Sequence, residues 1–364
     1  MHLRIFLPLL FLLACMATAG AQDTHFTLHD YQPLWLNPAH TGAYSGSVRV
    51  GGIYRGQWYT LDGIRTPSGY VDAPIVRGFR KTDWIGVGAL LINDNAGGDE
   101  LGFQRNYFGF SAAYHLSLDE RRRNVITLGA QYGSNTYSLN VGPGNLTQQL
   151  TIDTGLGGGG LMQGELQPGS EGSGNEKSYS DISAGVMLRS VLDPKKNNLF
   201  EAGATLLHLN SPDRESLLTP SRDTTGGGID TSLVDNEDNL RRRPTLHVHS
   251  RLDLEINDKW RFQPSVLLQS SAAVTIVSLQ AWGARQLKED VSLRLGLGYR
   301  TGDSAQVLVG LDYDRLRAAL SYDIALSQSR TVTNFQNSFE ISAAYIFNIY
   351  KKPTVVPTML CPRL

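Results

Sequence analysis

The sequence predicts an all-β fold, a transmembrane antiparallel β-barrel of about fourteen strands with long extracellular loops. Three observations carry that prediction. The first is period-two alternation, cleanest at 291–300, where Val291, Leu293, Leu295, Leu297 and Tyr299 share one face and Ser292, Arg294, Gly296, Gly298 and Arg300 the other. Successive side chains on a strand point to opposite faces, so this pattern makes one apolar and one polar surface. The second is an export signal at the N-terminus, and the third is a sorting of the connections by parity. Alternation alone fits either a soluble sandwich with the apolar face inward or an outer-membrane barrel with that face in lipid. The other two observations separate these folds.

Residues 1–21 have a basic Arg4, an apolar stretch from Ile5 to Ala14 and the small-residue ending Ala19-Gly20-Ala21. This is the pattern of a secretory signal cleaved before Gln22, too short to span a membrane as a helix. A lipoprotein alternative would use Leu12-Leu13-Ala14-Cys15 and attach lipid at Cys15. Beyond Ala21 no apolar run approaches the roughly 18 residues that a membrane helix needs. After cleavage before Gln22 only Cys361 would remain, which excludes an internal disulfide and a cysteine-based zinc site. A formal net charge of −1 gives no reason to expect nucleic acid as a partner.

Taken in order, the strand-like segments fall near 47–58, 66–76, 84–93, 104–118, 124–138, 178–190 and 198–210, then near 244–256, 260–270, 274–287, 291–301, 305–313, 315–327 and 337–349. Phe108, Phe110, Ala112, Tyr114, Leu116 and Leu118 make one face of the fourth. Leu246, Val248, Ser250, Leu252, Leu254 and Ile256 do so for the eighth, and Phe339, Ile341, Ala343, Tyr345, Phe347 and Ile349 for the last. Long links (93–103, 140–177, 211–243 and 328–336) follow odd-numbered strands, and short turns (119–123, 193–196, 257–259 and 288–290) follow even-numbered ones. A barrel with both ends in the periplasm sorts its links in this way, with short periplasmic turns and longer external loops. A sandwich has no cause to do so.

The inward residues follow from the phase: His247, His249, Arg251, Asp253 and Glu255 on the eighth strand, and Arg294, Arg300, Asp312, Arg315, Arg317, Asp323 and Glu340 later. Unpaired in a dry core these charges would be costly; a wet lumen hydrates them. Tyr54, Trp84, Tyr114, Tyr132, Trp260, Trp282, Tyr299, Tyr313 and Tyr345 lie largely near strand ends, where interfacial aromatic girdles are expected.

Motifs that carry chemistry are scarce. His247-x-His249 places two imidazoles on one strand face, either as a metal chelate or as rungs of a luminal polar ladder. Asn93–Glu100 has oxygen ligands but neither the spacing nor the terminal Glu of an EF-hand, which favours a solvated loop over a calcium site. Gly157–Gly160 lacks the following Gly-Lys-Ser/Thr of a phosphate loop, and no Gly-x-Ser-x-Gly elbow is present. No catalytic, cofactor-binding or metal residue is therefore assigned, no cofactor is expected, and the partner-binding residues stay unknown. The Gly/Ser/Thr-rich stretches 140–178 and 211–235 are expected to be external loops, with a partner surface as the alternative to plain linkers.

One set of motifs is more specific. Tyr31-Gln32-Pro33-Leu34-Trp35-Leu36-Asn37-Pro38-Ala39-His40-Thr41-Gly42 is followed by Tyr54-Arg55-Gly56-Gln57-Trp58, by Ile85–Gly97, by Phe339-Glu340-Ile341-Ser342 and by the ending Cys361-Pro362-Arg363-Leu364. Through these the mature chain resembles the PorP/SprF family of the Bacteroidetes type IX secretion and gliding-motility machinery. His40 stands where that family often has Tyr, and Leu364 where it often has Phe. The resemblance implies a non-enzymatic barrel in the cell outer membrane, working with type IX components and helping to export or surface-anchor a secreted partner protein. The alternative is a passive pore or small-solute transporter, since the charged lumen permits either a channel or a plug of ion pairs. The expected organisation is a signal peptide at 1–21, a periplasmic lead-in at 22–46, the barrel at 47–349 and a periplasmic tail at 350–364.

Overall fold

In the computed structural model, described residues run from 24 to 349, apart from 59–62, 78–79, 81, 98–100, 142–175, 194, 197, 213–241, 272–273 and 328–336. The expected signal at 1–21, Cys15 and the tail from 350 lie outside the described residues, as does most of the two Gly-rich links.

Among the described residues, fourteen strands close into one antiparallel barrel in which each pairs with its sequence neighbours and the last with the first. They are β1 (Val48–Gln57), β2 (Ile64–Arg77), β3 (Trp84–Gly97), β4 (Leu101–Ser117), β5 (Asn124–Val141), β6 (Glu176–Asp193) and β7 (Asn198–Leu207). The circuit continues with β8 (Thr245–Asn257), β9 (Trp260–Ser271), β10 (Val274–Lys288), β11 (Val291–Arg300), β12 (Ser304–Tyr313), β13 (Leu316–Ala325) and β14 (Ser338–Phe347). No described helix is long and apolar enough to cross a membrane. Closure leaves no strand edge unpaired, the condition for a sheet in hydrocarbon.

The alternation holds. On β11 the side chains of Leu295 and Leu297 are 57% and 67% exposed to the outside, while Arg294 between strand neighbours is 2% exposed. The short turns are closed by the side chains that the sequence places there. The Asp119 carboxylate accepts from the backbone N–H of Arg123 and Asn124. Asn257 Oδ1 accepts from those of Lys259 and Trp260, and Asp193 from that of Lys195. Such local side-chain bonds to backbone are why Asp and Asn favour turns.

One expectation changes. The link expected at 93–103 is mostly strand, since β3 runs to Gly97 and β4 begins at Leu101. Asn93 is bonded to Asn106 on the neighbouring strand, and Asp94 accepts from Thr66, so these residues belong to the ladder and not to an open loop. Two other links after odd strands are short, as expected from the spacing of the segments: β9 and β10 are separated by residues 272–273, and β11 and β12 by 301–303. The external side is built up elsewhere. β4, β5 and β6 have 17, 18 and 18 residues, against 10 in β1. A tilted strand needs only about 9–11 residues to span the bilayer, so the surplus carries these three beyond the external rim by about 20–25 Å of strand.

Placing Arg at Leu295 should cost about 2–4 kcal/mol near the bilayer midplane, whereas Ser292→Asn on the opposite face should be close to neutral. Gly296 shares that polar phase, but a Cβ there would press on the Trp282 ring at 2.9 Å, so Gly296→Ser should also destabilise. The recovery of the heat-modifiable folded band over a urea series checks all three. Equal tolerance at 292 and 295 would contradict the assignment of faces.

Candidate functional site

The chain ahead of β1 is not a periplasmic lead-in for residues 24–43: it lies inside the barrel. It forms a 3₁₀ turn (His29–Tyr31), one α-helical turn (α1, Pro33–Leu36) and a second 3₁₀ turn (Pro38–His40). Pro33 and Pro38 open the last two, where a missing N–H and a fixed φ cost nothing. Asn37 caps the second by accepting from the Ala39 N–H at 2.9 Å. Leu28, Leu34 and Leu36 are at most 4% exposed. Phe26, Tyr31, Leu34 and Trp35 join Tyr70, Leu90, Tyr107, Trp282 and Leu308 in a hydrophobic core inside the lumen. Local sequence gave no sign of this, because twenty residues with three helical turns have no recognisable periodicity.

The plug is bonded to opposite walls. At its start, the backbone N–H groups of Thr27 and Leu28 donate to the two oxygens of Glu340, each at 2.7 Å. The Thr27 hydroxyl donates to Asp323 at 2.5 Å and accepts from Arg300 at 2.6 Å, while Gln280 donates to its carbonyl. Arg55 lies between Glu340 and Asp323. Arg55 and Glu340 are direct cross-strand partners on the β1–β14 seam that closes the barrel. Two motifs nearly 300 residues apart in sequence, Tyr54–Trp58 and Phe339–Ser342, are thus one structure.

Farther along, Asn37 donates to the carbonyl of Val186 on β6 and to His249 Nε2 on β8, both at 3.1 Å. The floor beneath this turn is glycine: a methyl group at Gly185 would overlap the Asn37 carboxamide, and one at Gly129 would overlap the Ala39 backbone. At Gly42 the backbone turns with φ +73°, favoured by Gly. Its N–H donates to Asp72 at 2.7 Å, and its carbonyl accepts from Trp84 Nε1. Asp72 is also clamped by Arg49 at 2.8–2.9 Å.

The luminal charges stand where the phase placed them. His247, His249, Arg294, Arg300, Asp323 and Glu340 are all at most 4% exposed. What offsets their burial is pairing with the plug and with one another, instead of the hydration expected of a wet lumen. Arg315 is the exception, in the turn between β12 and β13 and 41% exposed at its side chain. Two girdle aromatics also face inward: Trp282 is 2% exposed beneath the Arg294 guanidinium, and Trp84 stacks on His115. Their phase in the strand decides this, for Trp84 at the start of β3 and for Trp282 in the middle of β10. Tyr132, Trp260, Tyr299 and Tyr313 are on the outside.

Of the residues able to hold a metal, His247 and His249 do not act together. His249 instead meets His40 and Glu201, the three ligand atoms lying within 4.8 Å of one another. The rings of His40 and His249 are 5.1 Å apart. A His₂-carboxylate set is a zinc donor set by type. Here, however, the Asn37 amide occupies His249 Nε2, and Arg251 contacts Glu201 at 3.4 Å, so hydrogen bonds and positive charge organise the group. Near the external end, His208 and Asp181 make a buried pair at 2.6 Å that ties the end of β7 to β6.

A sealed sheet with an apolar exterior, a charged lumen and an internal plug defines an outer-membrane β-barrel protein. Residues 18–345 match the family model of the type IX secretion system membrane protein PorP/SprF, and the chain belongs to this family of the outer membrane. No curated protein sequence matches. Among solved structures, the Ralstonia pickettii toluene transporter TbuX aligns with TM-score 0.48 and 12% identity over 91% of this chain and 96% of its own. The CymD monoaromatic hydrocarbon channel aligns with TM-score 0.48 and 11% identity over 92% and 96%, and the P. putida toluene transporter TodX with 0.44 and 14% over 86% and 93%.

Removing the Glu340 charge should release the start of the plug. Glu340→Gln takes from buried Arg55 its closer carboxylate and leaves it only Asp323 at 3.4 Å, a loss of up to about 3–5 kcal/mol, whereas Asp314→Asn, at a side chain 60% exposed, should change stability by less than about 0.5 kcal/mol. Trp35 fluorescence during urea unfolding measures both. The plug should also loosen in acid. Burial pushes the His40 imidazole down to about 4, against the opposing pull of Glu201. The folded protein therefore binds fewer protons here than the unfolded chain. The contribution, about 3 kcal/mol, is complete above the ordinary pKa of 6.5 and is lost as pH falls toward about 4. Burial opposes ionisation of Asp30 as well, but the Arg251 guanidinium outweighs it and holds that carboxyl below its usual range. Protease access to the plug, followed from pH 7 to pH 4, should rise through this window and shift to lower pH in His40→Gln.

Proposed function

We propose that the protein is a non-enzymatic platform of the type IX system that helps to export a secreted partner protein or anchor it at the cell surface. The observation that carries this is the plug. Thr27 is fixed to β13 and β14 and Asn37 to β6 and β8, so the segment crosses the lumen and leaves a partner to be held by the rim. The rim is asymmetric, raised on the side of β4, β5 and β6. Links 142–175 and 213–241 arise from that side or next to it. Their Gly, Ser and Thr content suits adaptation to a partner, at a cost in conformational entropy on binding. The inward charges around Thr27, Arg55 and Glu340 have structural partners, which supports reading them as scaffold. Family membership favours contact with other type IX components, and gliding motility is one setting in which such a partner would act.

The passive pore is the rival, and its lumen would have to be continuous. Purified barrel in planar bilayers should show little steady conductance. Deletion of the gene should leave solute uptake normal while one or a few type IX substrates disappear from the surface. Shortening 142–175 or 213–241 should weaken retention of that partner without loss of the folded band. A large, stable conductance together with unchanged secretion would promote the pore. Orientation is tested separately: cysteines at Gly158 and Asp223 should react with impermeant thiol reagents on whole cells, and one at Lys195 only after the outer membrane is opened. The reverse pattern would invert the barrel.

A further inference from the structure

We infer that the periplasmic mouth of the barrel contains a binding site for an oxyanion, the carboxylate or phosphate group of a ligand that enters from the periplasm. Between the plug and the wall, at the end where β1 begins and the β12–β13 turn lies, is a cavity of about 140 Å³. That is room for about four waters, or for one oxyanion with part of its hydration. Its wall carries five guanidiniums, Arg49, Arg189, Arg251, Arg315 and Arg317, but only two carboxylates, Asp30 and Glu201.

The charges that line the cavity are unevenly matched. Arg49 is satisfied by Asp72 at 2.8 Å, and Arg251 reaches both Asp30 and Glu201 at 3.4 Å. Arg317 and Arg315 reach Asp312 and Asp314 at 3.5 and 4.0 Å, neither of which lines the cavity. His40 Nε2 stands 3.8 Å from Glu201, a polar gap of the kind a bridging group fills. Among the described residues Arg189 has no carboxylate partner, its bond being to the carbonyl of Ala43 at 2.8 Å. The His40 ring, on a residue 8% exposed, has a buried Nε2 with no hydrogen-bond partner. The arginine side chains range in exposure from 14% at Arg49 and 22% at Arg251 to 39% at Arg317 and 41% at Arg315. Clustered positive charge that is partly open to solvent attracts an anion to the cavity. Planar guanidiniums bind carboxylate and phosphate alike, so the shared oxyanion chemistry is what the cavity selects.

The test is titration calorimetry on the purified mature chain, at fixed ionic strength, with inorganic phosphate and, separately, with an acetylated Asp-Glu dipeptide amide. Saturable one-to-one binding of at least one probe is expected. Preference for phosphate would assign a phosphate-bearing ligand, and preference for the dipeptide a carboxylate carried on polypeptide. Arg189→Gln combined with Arg317→Gln should weaken binding by about ten-fold or more, while Lys195→Gln, on an exposed turn of the same side, should not. Glu201→Gln supplies the sign that a merely structural cluster would not give: removing a competing negative charge should tighten the anion by a few-fold. Each variant is first shown to keep its heat-modifiable band, and Glu201→Gln alone decides if the double variant does not fold. The inference is overturned if neither probe binds at millimolar concentration, if Lys195→Gln loses as much as the double variant, or if Glu201→Gln fails to tighten binding. Saturable Zn²⁺ binding that disappears in Glu201→Gln would overturn it too, by making this a cation site on His40, Glu201 and His249.

Discussion

Glu340 accepts two backbone N–H bonds from the plug while facing Arg55 across the seam that closes the barrel. The rest of the lumen depends on this arrangement. A buried carboxylate is tolerable only when its lone pairs and its charge are both answered. Here the strand partner answers the charge and the plug answers the lone pairs. Removing either leaves a charge in a site with little water. Barrel closure and plug docking are therefore coupled through one side chain, with Thr27 extending the cluster to Asp323 and Arg300 on β13 and β11.

A barrel of this kind has its apolar surface outside, so ordinary core packing is not available to the strands. The plug restores a small core within the lumen, where Leu34 and Trp35 meet Leu90, Tyr107 and Leu308. It can reach the wall because glycines form the floor under Asn37 and Ala39. Part of the glycine content of the strands thus serves close approach of one backbone to another. Where the plug meets β11, β13 and β14, its backbone N–H groups and the Thr27 hydroxyl are held at 2.5–2.7 Å, whereas at its other end Arg251 reaches Asp30 and Glu201 at 3.4 Å.

Much of the barrel was legible because strand alternation is a local property. The faces of β4, β8, β11 and β14 follow directly from the order of their residues, and the Asp and Asn turns from side-chain bonds to nearby backbone. The site was far less legible. His40 and His249 are separated by 208 intervening residues, and nothing in either neighbourhood announces the other. His247-x-His249 had the more suggestive spacing, yet the two rings serve different partners. Trp84 opens β3 and Trp282 lies mid-strand in β10, and in both the inward phase decides where the ring points.

Sequence by itself determined the sheet, its two faces, the side on which the longest links lie and, through the Asn-Pro-Ala and Tyr-Arg-x-Gln-Trp motifs, the resemblance to one family. Those features are written in neighbouring residues and need no knowledge of what lies across the barrel. Tertiary structure alone decided that residues 24–43 fill the lumen, that Arg55 meets Glu340, and that five arginines converge on one cavity. The physical reason is closure. Joining β14 to β1 brings residues from the whole chain around one axis, and only then does a short polar segment find enough partners to be buried.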